Sequence, residues 1–462
     1  MWHNDMAHTG QYLTETLLTP ATVTVATFGK RFTQPVDGEV YAQPLYKSQV
    51  PIPGLGIHNV IYVATMHDSL YAFDADANTE ANASPLWQRS FIHPPSITSV
   101  PLSDYPGDTD LRVEIGILST PVIDSASSTL FTVVKTKEAA AVTATNTLGH
   151  VYRLHGLDLA TGHDKFGGPV VLGGSVPGTG DANVSGTITF DPILQNQRCA
   201  LLLMGGQLYV AFSSYADKGL YHGWILAYDA LSLVQTGIWN DTPNNPPVDP
   251  NNPGAHLGGG GIWMNGSSPA ADGTSIYCST GNGWADTVPP VTDYADSVVK
   301  LLLQGGGAGP GGNLSVLDYF TPFNQAYLNT LDLDLDSGGI LLLPDQPGPV
   351  PHLLLTAGKD GSVYLLNRDR MSHFNAGGDQ VVQESLSQFL GMYATPAYWN
   401  GVVYWKGATV DIFNQAVSPF CAFTLVPGTA TTPTRLNLTP SSVSSFQWSW
   451  PGSTPSISAN GS

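Results

Sequence analysis

Charge, cysteine and long apolar runs are all scarce in this chain, and each shortage excludes something. Only 11% of the 462 residues are charged, against 42% hydrophobic, a balance that supports a large core and rules out a disordered chain. Basic residues are few: 17 Lys and Arg face 36 Asp and Glu, a formal charge of −19. A field of that sign repels phosphate backbones and anionic lipid heads, so nucleic acid is not an expected partner. The three cysteines, Cys199, Cys278 and Cys421, stand far apart with no CxxC spacing, which indicates neither a zinc site nor a disulfide scaffold. No run of about 18 apolar residues occurs, so no membrane span is expected. The opening "MWHNDMAHTGQ" lacks the basic-then-apolar pattern of a signal peptide. The chain is then either cytoplasmic or what remains after a leader is removed. Its acidic, lysine-poor composition, rich in Asn, Thr and Gly, favours an exported protein.

Turn formers, by contrast, are abundant. Fifty glycines and 35 prolines alternate with aromatic and β-branched residues, the composition of short strands joined by many turns, while helical periodicity is scarce. A phrase also recurs: "AQPLY" (42–46), "STPVID" (119–124), "SSPAAD" (267–272), "ATPAYWN" (394–400) and "STPSIS" (453–458). Each pairs a small residue and proline with a strand start. A second strand follows most of them ("NVIYVAT", "TLFTVVK", "TSIYCST", "GVVYWKG"), and several units add a third that ends in aspartate, such as "SLYAFDAD" and "GWILAYDA". Four short antiparallel strands per unit describe a β-propeller blade. The expected fold is therefore an all-β propeller in a single domain, 1–462. Six blades begin near residues 42, 119, 200, 267, 338 and 394, the third and fifth without the proline phrase. The leading "GKRFTQPV" reads as an outer strand belonging to the last blade, and a partial seventh blade opens at 453. Since a ring removes its edges only by closing, a C-terminally truncated propeller is expected.

The units resemble the repeats of the quinoprotein alcohol dehydrogenase-like (PQQ-like repeat) family, whose propellers have eight blades. The resemblance runs weakly over most of the chain and sharpens between about residues 205 and 370. "VAFSSYADKGLYHGWILAYDA" is similar to a family strand pair whose Ser-Ser-x-x-acid phrase supplies a calcium ligand, which implies Asp217 as ligand, with Ser213 and Ser214 at the cofactor. "GGGGIWMNGSSPAADGTSIYCSTGNG" is similar to the Gly-Gly-x-x-Trp … Gly-Asn phrase. That match implies Trp263 as the quinone's stacking floor and Asn282 as an amide ligand of calcium. "LDYFTPFNQAYLNTLDLDLDSGGILLLPD" resembles the segment carrying the catalytic aspartate, placed here at Asp334, which is also a calcium ligand. "LLLTAGKDGSVYLLNRD" resembles the phrase whose lysine hydrogen-bonds the quinone, here Lys359. The four phrases arrive in the family's order.

What the resemblance implies is an oxidoreductase that uses PQQ and Ca2+ on a small alcohol or sugar hydroxyl in the periplasm or outside the cell. Calcium takes hard oxygen ligands and acts as a Lewis acid, and an aspartate accepts the hydroxyl proton. No adjacent cysteine pair and no CxxCH haem motif occur, so the electron acceptor is external. The alternative is a non-catalytic propeller that binds a protein or glycan ligand at its face, since fold does not fix function. A hydrolase lacks support, because no GxSxG is present.

The residues also admit plainer readings. The ladder Asp332, Asp334, Asp336 has EF-hand spacing, but Leu343 stands where a bidentate Glu is needed. It otherwise reads as a solvated strand edge or as one wall of a site. Trp263 also reads as a packed blade aromatic, and Asn282, Lys359 and Asp217 as ordinary turn residues. Glu114, Lys135, Lys137 and His222 lie near expected strand ends. They either line the channel or sit, the lysines especially, at the surface.

Overall fold

Aspartates that end the third strands set the turns. Asp74 Oδ1 accepts hydrogen bonds from the amides of Asp76 and Ala77 at 2.8 and 2.9 Å, and Asp229 does the same for Leu231 and Ser232 at 3.1 and 2.9 Å. Such a side chain closes a tight turn without a helix. The computed structural model describes residues 1–108, 110–246, 258–303, 314–389, 391–406, 418–448 and 452–460. Trp450 and Pro451 of the expected seventh-blade opening, and the final Gly461 and Ser462, lie outside them.

Six antiparallel sheets of four or five strands follow one another along the chain. Their first strands are Leu45–Ile52, Val122–Asp124, Leu202–Met204, Ala270–Ala271, Ile340–Leu342 and Ala397–Trp399. We number the sheets one to six in that order. Among the described residues the single α-helix is Gln325–Thr330, and no helix is long and apolar enough to cross a membrane. Apolar cores lie between successive sheets. Val60, Tyr62 and Leu70 of sheet one meet Leu130 and Leu157 of sheet two, and Leu355 and Leu365 of sheet five meet Val403 and Phe423 of sheet six. Alternating side chains cover both faces of each sheet, which is how radially stacked sheets bury apolar surface. The architecture is an all-β propeller.

One expectation changes. "GKRFTQPV" forms no strand; it lies along the first sheet's outer loop, with Gln34 Nε2 donating to Asn82 O at 3.1 Å and Asn78 Nδ2 to Thr33 O at 3.1 Å. Pro35 offers no N–H to a ladder. The chain's first residues instead run across the first strands of three sheets. Ala271 N donates to Met6 O (2.7 Å), Leu342 N to Ala7 O (2.9 Å) and Tyr398 N to Thr9 O (2.8 Å). Gln11–Tyr12 then pairs in parallel with Ile457–Ser458, where the last proline phrase leads. His8 is fully buried beneath this strap, its ring within 2.9 Å of Ile340 O and 2.8 Å of Ser268 Oγ.

Candidate functional site

In an antiparallel sheet, the start of the first strand and the end of the second lie at the same end. Trp263 and Asp334 precede the first strands of sheets four and five. Asp217, Asn282 and Lys359 follow the second strands of sheets three, four and five, namely Gln207–Ser214, Ile276–Ser279 and Leu353–Ala357. Five residues remote in sequence are thereby delivered to one end of three neighbouring sheets.

Contacts join most of them directly. Asp334 Oδ1 accepts from Asn282 N at 2.8 Å, and Oδ2 is ion-paired with Lys359 Nζ. Lys359 Nζ also reaches Asp332 Oδ1 at 3.3 Å, which accepts from Asn282 Nδ2 at 3.2 Å. Burial works against the Lys359 ammonium, but Asp334 and Asp332 outweigh it and hold its pKa above the ordinary value. Asp217 sits at φ 49° in a tight turn and accepts from Ser214 Oγ at 3.1 Å. Burial, then the Asp334 and Asp332 carboxylates, push its carboxyl up to about 6 against the pull of Lys359. The Trp263 indole lies on bare backbone: a methyl added at Gly261 would fall 2.2 Å from its Cζ3, and one at Gly281 would fall 2.7 Å from both Cζ3 and Asp334 Oδ1. Glycine is required at both positions by this close approach.

The aspartate ladder is neither a strand nor uniformly solvated, because helix Gln325–Thr330 and a 3-10 turn at Leu335–Gly338 break it. Asp332 is exposed, Asp334 is 5% exposed and Asp336 is 1% exposed. Asp336 Oδ2 accepts from Trp263 N and Met264 N at 2.6 and 3.2 Å, so it holds the turn that carries the indole. Burial first, and then Asp334, push the Asp336 carboxyl far up. Sequence reasoning assigned no such duty to Asp336 and overlooked Asp296, which accepts from Leu335 N at 3.3 Å. It also overlooked Tyr221, whose ring meets Trp263 edge-on with centroids 6.0 Å apart. Tyr221 lies inside the "VAFSSYADKGLYHGWILAYDA" phrase without being singled out by it, and Asp296 stands in none of the matched phrases.

Other candidates lie elsewhere. Ser213 faces the opposite side of its strand from Ser214 and donates to Asn196 O at 3.2 Å. Lys135, read as more often a surface residue, is 1% exposed. Its ammonium lies 4.1 to 5.0 Å from the ring centres of Tyr215, Tyr152 and Tyr105 and donates to Tyr105 Oη at 2.6 Å, an aromatic enclosure that replaces water around the charge. Lys137 pairs with Asp104 at 2.7 Å, Glu114 with His67 at 2.8 Å, and the buried His222 Nδ1 with Thr242 Oγ1 at 2.9 Å.

Could the cluster hold a cation? Asp217, Asp332 and Asp334 face one lysine, an excess of negative charge, and the buried Asn282 Oδ1 has no hydrogen-bond partner. Two carboxylates and an orphaned amide oxygen suit a hard ion. Among the described residues no three His, Cys, Asp or Glu side chains are placed to ligate one ion.

Beside these residues lies a nest of buried acids with a pH consequence. Burial, chiefly, lifts Asp241 to about 8 and Asp181 and Asp293 to about 7, the Asp293 carboxylate adding to the first two. Burial likewise lowers His8 to about 3 and His150 and His222 to about 4. Acids raised above their unfolded values give stability that is present below pH ~4 and is lost as pH rises through 7 to 8. Histidines lowered below theirs give stability that is present above pH ~6.5 and is lost as pH falls. The two groups oppose each other between these limits. Above pH ~6.5 the acids act without the histidines; Asp68 and Asp296 add to them, while Lys135 and the Met1 amino group, both lowered by burial, oppose. The melting temperature is expected to fall from pH 6.5 to 8.5. Asp241→Asn keeps the acceptor for Gly223 N and should gain on the order of 3 kcal/mol at pH 8. Thermal denaturation of both proteins across that range checks it; parallel curves would refute it.

No protein-family model and no curated protein matches this sequence. Solved structures do. A europium-containing methanol dehydrogenase aligns over 100% of this chain and 80% of its own at 11% identity, with a TM-score of 0.54. A quinohemoprotein alcohol dehydrogenase from Pseudomonas putida HK5 aligns over 85% of this chain at 13% identity and a TM-score of 0.44; the chain spans 52% of that protein. BamB from Moraxella catarrhalis aligns over 75% of this chain and 66% of its own at 14% identity and 0.34. The likeness is one of fold, a β-propeller like that of the methanol dehydrogenase.

Proposed function

We propose that this chain is a quinoprotein-type oxidoreductase that oxidises an alcohol or sugar hydroxyl with PQQ and calcium, in an extracytoplasmic compartment and with an external electron acceptor. One observation carries the reading: Asp217, Asn282, Asp334 and Lys359, spread over 143 residues (217 to 359, inclusive), meet beside an indole laid flat on glycine backbone.

Asp217, Asn282 Oδ1 and Asp334 would hold the ion, and Trp263 the flat cofactor. When bound, PQQ supplies the two-electron acceptor for the carbinol hydrogen and calcium polarises its reactive carbonyl. Asp334 Oδ2 is the candidate base, and Lys359 Nζ is ion-paired with it. Asp334 Oδ2 would take the substrate's hydroxyl proton, and Lys359 would place positive charge where negative charge grows. Asp336 keeps the indole in position throughout by holding its turn.

The test is direct. Adding PQQ and calcium should quench tryptophan fluorescence, and primary alcohols or aldoses should then reduce an artificial dye. Quenching without turnover on any hydroxyl substrate leaves a binding propeller, and no quenching removes the quinone altogether.

A further inference from the structure

At the opposite end of sheets four and five from Asp334, a cleft of about 480 Å³ opens between the two sheets beside the strap residues Ala7 and Thr9. That volume is typical of small-ligand sites, which hold about 300–1,000 Å³. Its walls come from chain just past the first strand of each sheet, Asp272 after Ala270–Ala271 and Asp345 after Ile340–Leu342. Arg368 and Asp369, which follow the third strand of sheet five, Val363–Asn367, add to them, and Lys300 enters from the third strand of sheet four, Val298–Leu303.

Two cations face this cleft with little to answer their charge. Lys300 is half-buried and, among the described residues, makes no ion pair: its ammonium donates to Arg368 O at 3.1 Å and lies 5.5 Å from the centre of the Tyr277 ring. Its cross-strand neighbour Asp318 is taken by Tyr319 N, Met371 N and His373 instead. Arg368 is 8% exposed, donates through Nη2 to Leu343 O at 3.2 Å and leaves Nε without a hydrogen-bond partner. Asp272 stands 3.8 Å from its Nη1 and is committed to its own turn, accepting from Thr274 N, Thr274 Oγ1, Ser275 N and Tyr277 Oη at 2.7 to 3.0 Å. One engaged carboxylate thus stands against an ammonium and a guanidinium, groups that bind an anion by charge-assisted hydrogen bonds. The mouth has the opposite character. His352 Nδ1 lies 2.8 Å from Asp369 and Nε2 lies 3.7 Å from Asp345, and these three side chains are 42 to 79% exposed. Carboxylate oxygens at a rim are acceptors for hydroxyl groups.

We propose that this cleft binds a sugar acid, its carboxylate toward Lys300 and Arg368 and its hydroxyls toward Asp345, Asp369 and His352. The site is separate from the oxidoreductase centre proposed above and does not rest on it. Calorimetric titration of the full chain, with no cofactor added, tests it with galacturonate, galactose and acetate. Galacturonate should bind. Galactose lacks the charge and acetate the hydroxyls, so each should bind at least about 10-fold more weakly. Lys300→Gln keeps a donor for Arg368 O but loses the charge; it should weaken galacturonate by about 10- to 100-fold and leave galactose unchanged. Asp369→Ala, at the exposed rim, should weaken both sugars and spare acetate. The three probes are compared on the unaltered protein, so that comparison decides the matter even where a variant fails to fold. Galactose or acetate binding as tightly as galacturonate, no binding of galacturonate, or galacturonate binding unmoved by Lys300→Gln would each overturn the site.

Discussion

Asp334→Asn is expected to cut dye-linked alcohol oxidation by about 10²- to 10⁴-fold, the range for losing a positioned general base. Quenching of tryptophan by PQQ and calcium should survive. The substitution is nearly isosteric. An asparagine carbonyl still accepts from Asn282 N, as Asp334 Oδ1 does at 2.8 Å, and still offers a neutral oxygen to an ion. What it loses is the charge that pairs with Lys359 and the oxygen that takes a proton. Binding and turnover should therefore separate, the signature of an interaction used in the transition state rather than in the ground state. A variant that keeps more than about a tenth of the rate would remove Asp334 from the base role. A variant that no longer quenches would make Asp334 a structural residue, since its Oδ1 also fastens the Asn282 turn.

Much of this could be read in the chain because propeller geometry is local. Four of the five proline phrases run into the first strand of a sheet, and the strand-ending aspartates mark turns whose partners are two or three positions away. Asp217, Asn282 and Lys359 sit in turns just past second strands, so finding the strands also located the turns. What escaped depends on contacts across long sequence separations. Nothing near Asp336 announces that it holds the Trp263 turn, 73 residues earlier. Ser213 and Ser214 look equivalent in a phrase, but strand alternation turns one of them away. Position 8 gives no hint that its imidazole lies against Ile340, 332 residues on.

That last contact leads to the largest expected effect on stability. A chain beginning at Leu13 should lose its cooperative melt. The amides of Ala271, Leu342 and Tyr398 donate to Met6, Ala7 and Thr9, and those of Ile457 and Ala459 to Gly10 and Tyr12. Leaving a buried donor unmet costs about 1–3 kcal/mol. Ala271 and Leu342 are buried, so those two losses alone come to about 2–6 kcal/mol, against about 5–15 kcal/mol for the whole stability of a typical domain. The buried Trp2, His3 and His8 leave with them. His8→Ala isolates part of this. It removes both ring hydrogen bonds and opens a cavity, for about 2–4 kcal/mol together. It also removes one of the histidines that oppose folding in acid, so the variant should lose less stability than its parent between pH 6.5 and 4. Circular dichroism melts of the three proteins at pH 7 and pH 5 decide the matter. If the shortened chain melts within a few degrees of the full one, the strap is an ornament on a ring that holds itself together. If it does not, the strap joins the fourth, fifth and sixth sheets, and damage beneath it should reach the Asp334 turn through Ile340, the residue His8 touches at the head of the same strand.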